Sequence, residues 1–201
     1  LGNKFLSHIR EVDAIIHVLR DFEDANIVRE GSTDPKSDRD VIETELSLAD
    51  LQVLEKLITA QEKLARTNGA DPIEKDKLDI LNGIKKELDA GHILGKYQIG
   101  DERLKSWFQT LPLLTIKPIL YVFNISEEKL SLNDAVAHLS DNELAICARL
   151  EEELADLSEK DRNEYLSSVG LQETGLERLI KKAYHLLGLI SFLTAGKKEV
   201  R

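Results

Sequence analysis

Apolar positions along the chain follow two different periods. Ile119 to Phe123 is an unbroken apolar run that leads into Asn124-Ile125-Ser126-Glu127. Such a run suits a strand buried on both faces of a parallel sheet. Asp13 to Leu19 and Glu143 to Cys147 read as two further short strands, and Ile190 to Thr194 as a fourth. Between the first two strands the period changes. Ile42, Leu46, Ala49, Val53, Leu57, Ala60 and Leu64 are spaced 4-3-4-4-3-4. That eleven-residue repeat lies close to the natural pitch of an α-helix and predicts one long helix with a nearly straight, coiled-coil-like apolar stripe.

Local signals place the helix ends. Ser37 with Asp40 resembles a capping box at the start of the long helix, and Asn68-Gly69 would end it. Asp71-Pro72 opens a second helix, striped by Leu78, Leu81, Ile84 and Leu88 and closed by Gly91. The two form an antiparallel hairpin. Asp101 to Gln109 is a shorter helix expected to bring Trp107 and Phe108 back toward the sheet. Further helices are predicted over Asn3 to Glu11 and Ser131 to Leu139, from the Ser158/Asp161 pair, and from the Thr174/Glu177 pair. The Thr174 helix carries Leu176, Leu179, Ile180, Ala183, Tyr184 and Leu187 on one face.

The resulting order is helix, strand, helical insertion, two strands, helices. It predicts an α/β fold, the later half of a doubly wound, mostly parallel sheet interrupted by a helical hairpin. Residues 1–33 and 113–201 would form the sheet-bearing part, and 34–112 the inserted arm. In such sheets ligands bind just past the carboxyl ends of the strands. Asn124 and Glu127 sit there, offering amide donors and carboxylate acceptors suited to a purine edge. The same two residues also fit ordinary turn chemistry. His17, inside a predicted strand, reads as packed rather than catalytic, and His8 as a helix-surface residue.

Composition narrows the classes. The net charge of −10 disfavours broad nucleic-acid or anionic-membrane binding. The arm alone has 12 basic against 16 acidic side chains, a balance of −4. That describes a solvated face better than a nucleic-acid grip. No apolar run approaches the ~20 residues of a membrane span. A single cysteine, Cys147, excludes an internal disulfide and fits a cytoplasmic protein. The absence of Met suggests a piece or processed product of something longer.

Several blocks, in order, resemble the YchF / Obg-like ATPase family: Leu1 to Val18, Phe22 to Ile27, Glu43 to Asp50, Lys117 to Asn124 and Phe192 to Arg201. The resemblance runs nearly end to end and is weakest in the hairpin and around Ser131 to Asn142. It implies a P-loop nucleotide hydrolase of the translation-factor class, with a helical arm inserted in its G domain. Related GTPases carry Asn-Lys-x-Asp where this chain has Asn124-Ile125-Ser126-Glu127, and the family is known for using ATP at least as readily as GTP. By this resemblance Asn124, Ile125, Glu127, Cys147 and Ala148 are the base-binding residues, with Cys147-Ala148 standing where the family usually has Ser-Ala. ATP or GTP with Mg2+ would be the ligand, and a ribosome or ribosomal protein the partner. The family's proposed catalytic His is replaced near its expected place by Arg29, so no catalytic residue is assigned. No phosphate loop or switch motif occurs in this sequence, so the chain alone is expected to be inactive, and no metal ligand is assigned. The alternative is a non-enzymatic module whose arm docks a protein partner.

Overall fold

The computed structural model describes residues 2–23, 34–67, 71–131 and 139–193. They form two compact units. One contains residues 2–15, 34–67 and 71–118; the other contains 16–23, 119–131 and 139–193. The arm limits expected from sequence, 34 and 112, leave α1 (Asn3–Glu11) and residues 113–118 with the sheet-bearing part; by contacts both lie in the helical unit.

In the helical unit, α2 (Pro35–Ala65) and α3 (Pro72–Asp89) pack as a hairpin, followed by a 3-10 turn (Leu94–Lys96) and α4 (Glu102–Gln109). Asp71 caps α3 through the Ile73 N–H, and Gly91 closes it at φ +81°, a left-handed turn that glycine adopts without penalty. The start of α2 differs from expectation. Asp34 caps it, accepting from the Lys36 and Ser37 N–H groups, with Pro35 in the first turn. α2 ends at Ala65; Asn68-Gly69 lies outside the described residues.

The buried seam of α2 also differs from the apolar stripe. It runs through Leu46, Ser47, Asp50, Leu54 and Gln61, whereas Ala60 and Leu64 are exposed. Three of these positions are polar, and each has a buried use. Ser47 donates to the Glu43 carbonyl at 2.8 Å. Gln61 donates to the Glu74 carbonyl at 2.9 Å and its carboxylate at 2.6 Å, tying α2 to α3. Asp50, 0% exposed, accepts from the Leu114 N–H at 2.7 Å, the Thr115 N–H at 2.8 Å and the Thr115 hydroxyl at 2.7 Å. An apolar count misses residues that are buried because they are bonded. Phe108 packs in this unit's core with Leu54, Leu81, Ile84, Leu88, Leu94 and Leu113, and Trp107 lies beneath the Lys77 ammonium at 5.7 Å. The expectation that both return to the sheet is therefore corrected: the hairpin has its own apolar cluster to fill.

The second unit is built on a sheet of order β1-β2-β3: β1 (Ile15–Asp21), β2 (Ile119–Ile125) and β3 (Glu143–Ile146). β2 and β3 are parallel, with Val122 opposite Leu144 and Asn124 opposite Ile146. After β2 comes α5 (Glu127–Ser131); after β3 come α6 (Ala148–Ala155), α7 (Glu159–Ser168) and α8 (Gly175–Leu186). On one face Leu120, Val122 and Leu144 pack with Leu179 and Leu186 of α8. In a separate cluster Ala145, Cys147 and Ile125 pack with Leu150 and Leu154 of α6 and Leu166 of α7. Helices on both faces are what the unbroken β2 run required.

Thr174 makes a full capping box with Glu177. Glu151 of α6 adds two bonds there, accepting from the Gly175 N–H at 2.7 Å and the Leu176 N–H at 3.0 Å. A Cβ at Gly175 would lie 2.7 Å from that carboxylate and 2.9 Å from an Ile146 methyl, so the α6–α8 approach requires glycine. The predicted strand at Ile190 to Thr194 is not formed over 190–193: Ile190, Phe192 and Leu193 are exposed and pair with no strand among the described residues, and Thr194 lies outside them. Of the helix predicted over Ser131 to Leu139, residues 132–138 also lie outside.

The Asp50 cluster generates a stability prediction. Asp50→Ala strands two buried N–H groups and a hydroxyl, which costs about 3 kcal/mol. For a chain of this size that lowers Tm by about 6–12 °C in calorimetry. A shift under about 2 °C would show that the bonds are not structural.

Candidate functional site

The carboxyl ends of β2 and β3 bring the sequence-predicted residues together. β2 runs two residues further than the apolar run, so Asn124 and Ile125 are still strand residues. The register sets Asn124 beside Ile146, the last residue of β3. Cys147 is then the N-cap of α6 and Ala148 its first residue. Asn124 Oδ1 accepts from the Ala148 N–H at 3.0 Å. The first N–H groups of a helix have no partner within it, and here a strand residue supplies one. With the oxygen committed, the Asn124 amide keeps its two N–H groups as donors.

Alternation along β2 decides the next residue. Ile125 is 2% exposed and packs with Leu130, Cys147 and Leu150. Cys147, 3% exposed, lies in the same cluster. Both side chains are thus part of the apolar packing beneath the strand ends. A thiol is a small apolar side chain in such a place, which is why Cys serves at this N-cap position without a capping bond.

Ser126 starts α5: its hydroxyl accepts from the Lys129 N–H at 3.3 Å. Glu127 is the first residue of that helix, a position where an acidic side chain is favoured by the helix dipole. It is exposed, and its Oε1 accepts from the Tyr165 hydroxyl of α7 at 3.0 Å. That hydrogen bond, then partial burial and nearby carboxylates, hold the Tyr165 phenol above its ordinary value, so it remains a donor. Below them Glu127, Glu128, Tyr165, Leu130, Leu150 and Leu171 line a hollow of about 200 Å³. On the other side of α5, Lys129 bonds the Asp21 carboxylate at 2.7 Å and its carbonyl at 3.1 Å.

Sequence reasoning missed Ser126 and Tyr165. Ser126 was legible: Ser followed by Glu-Glu is a helix-start signal. Tyr165 lies 38 residues from Glu127, and no local pattern links them. His17 makes a tilted ring contact with Tyr121 at 5.9 Å, consistent with packing. His8 is exposed on α1. Arg29 lies outside the described residues. Among the described residues no three His, Cys, Asp or Glu side chains gather as cation ligands. Nor, among them, is any helix long and apolar enough to cross a membrane.

No protein-family model matches the chain. Individual proteins do. It is 42% identical over 212 residues to the Ribosome-binding ATPase YchF of Bacillus subtilis, covering all of this chain and 57% of that protein. It is 39% identical over 209 residues to the protein of the same name from Haemophilus influenzae, again over all of the chain and 57% of the relative. The solved YchF GTPase of Schizosaccharomyces pombe superposes with a TM-score of 0.83 at 29% identity, over the whole chain and 57% of that structure. Over its whole length the chain is thus similar to YchF proteins, and it spans somewhat over half the length of these relatives.

Proposed function

We propose that this chain carries the base-binding part of an ATP-preferring P-loop nucleotide hydrolase that also accepts GTP and works in the cytoplasm as a ribosome-associated switch. The observation that carries the reading is the Asn124–Ala148 bond, which joins the carboxyl ends of two parallel strands where ligands of such sheets bind. Asn124 donates through its amide N–H groups to a ring nitrogen of the purine. Glu127 accepts from the base's amine. Ile125, Cys147 and Ala148 form the backbone frame around it. The relatives' names, Ribosome-binding ATPase and GTPase, support the activity and the partner.

In this reading residues 1–33 and 113–201 belong to the nucleotide-binding domain, and 34–112 are its arm. The phosphates and Mg2+ are held by groups outside this chain. Magnesium, when bound with the nucleotide, neutralises charge on the transferring phosphoryl group. What this chain contributes is recognition: it orients the base and so sets which nucleotide is held.

A second reading, an arm that docks a protein partner, draws support from Val41 and Leu48. They are each 55% exposed on α2 and stand seven residues, about two turns, apart on one face. Either role is compatible with a negative arm that meets protein rather than nucleic acid.

Three outcomes are expected. In the full-length protein, Asn124→Ala weakens ATP by roughly five- to tenfold in calorimetric titration, the loss of one ligand bond and of the loop link; unchanged affinity would remove Asn124 from the site. The 201-residue chain alone releases phosphate from ATP no faster than a buffer blank; sustained turnover would mean that it holds its own phosphate machinery. For the arm, Val41→Asp with Leu48→Asp in the full-length protein abolishes co-sedimentation with ribosomes while leaving nucleotide affinity intact. Undiminished co-sedimentation would place the partner surface elsewhere.

A further inference from the structure

Glu127 differs in one respect from a carboxylate that reads guanine: one of its oxygens is already engaged. The Tyr165 hydroxyl donates to Oε1 at 3.0 Å. The donor is not a chance surface neighbour. The Tyr165 ring packs against the cluster of Ile125, Leu130, Cys147, Leu150, Leu154 and Leu166. α7, which carries it, is capped by Ser158 and tied to α6 by Arg162 Nε donating to the Leu154 carbonyl at 3.0 Å. A phenol on a fixed platform thus holds an otherwise exposed, rotamer-rich side chain.

The chemistry of the two purines gives this bond a consequence. Guanine presents a ring N–H and an exocyclic amine side by side, and a carboxylate with both oxygens open satisfies one with each. Adenine presents a single exocyclic amine and no ring N–H, so one acceptor suffices. We propose that Tyr165 is a specificity-determining residue: by bonding Glu127 Oε1 it holds the carboxylate turned so that only the other oxygen faces the base, which suits adenine and leaves one guanine N–H unmatched. An N–H that loses water without gaining a partner is paid for in affinity. The inference rests on the base-reading role given above to Asn124 and Glu127. Tyr165 does not touch the base; it acts through Glu127.

Inosine nucleotides separate the possibilities, because hypoxanthine keeps guanine's ring N–H and lacks its amine. Non-hydrolysable analogues of ATP, GTP and ITP are titrated into the full-length protein by calorimetry. The wild type is expected to bind GTP no tighter than ITP. Tyr165→Phe frees the second oxygen and raises GTP over ITP by roughly tenfold, with ATP changed by less than about twofold. A loosened structure would weaken all three together, and that outcome, or a GTP-to-ITP ratio equal to the wild type's, overturns the role. The wild-type comparison needs no variant: GTP bound tenfold more tightly than ITP there also overturns it. The Asn124→Ala titration tells the two readings apart. If it weakens ATP while Tyr165→Phe leaves the ratio unmoved, only the Tyr165 role falls. If it has no effect, the base-site reading falls and the Tyr165 role with it.

Discussion

A buried carboxylate fixes the helical unit. Taking Asp50 out of water is costly, and burial pushes its carboxyl above the ordinary carboxylate value. The two backbone N–H groups of Leu114 and Thr115 and the Thr115 hydroxyl pull it back and complete its bonding. Because the donors belong to the segment at 113–115, α2 can present only one face to them. A rotation of one residue along the helix would put Ala49 or Leu51 where the acceptor is needed. The polar seam of Ser47, Asp50 and Gln61 therefore sets the helix rotation, and the leucines fill what remains. Apolar contacts tolerate sliding; a three-fold hydrogen-bonded carboxylate does not.

In the sheet unit a different logic holds. β2 is apolar on both faces because α8 covers one and α6 with α7 the other. Its apolar sequence ends where the helices no longer need it, at Asn124, which turns its side chain to the neighbouring loop. Ile125 then returns to the core and Glu127 opens α5. Strand alternation separates Asn124 from Ile125, and the start of α5 leaves Glu127 at the surface.

Much of this was legible in the sequence. The apolar run, the Asp71-Pro72 and Thr174/Glu177 helix starts and the long helix declare themselves through spacing and cap chemistry. So does the nearness of Asn124 to Cys147-Ala148, once both are placed at strand ends. What escaped depends on contacts distant in the chain. The face of α2 was legible in part: Leu46, Val53 and Leu57 of the stripe pack inward, but Asp50 and Gln61 look like surface residues until Thr115 and Glu74 are set beside them. The predicted last strand is not formed over Ile190 to Leu193, which has strand-like composition but no neighbouring strand to pair with among the described residues. Tyr165 stayed hidden because nothing near it in sequence announces Glu127.

The Asn124–Ala148 bond also changes how one amide behaves in time. Most helical N–H groups exchange their hydrogen with solvent only when a turn of the helix unwinds. The Ala148 N–H lies at the first position of α6 and is held by a side chain instead. Its exchange is timed by the rotation of Asn124 about its own side-chain bonds, a far faster clock than helix opening. A single backbone hydrogen in this loop thus reports the fraction of time for which Asn124 has let go.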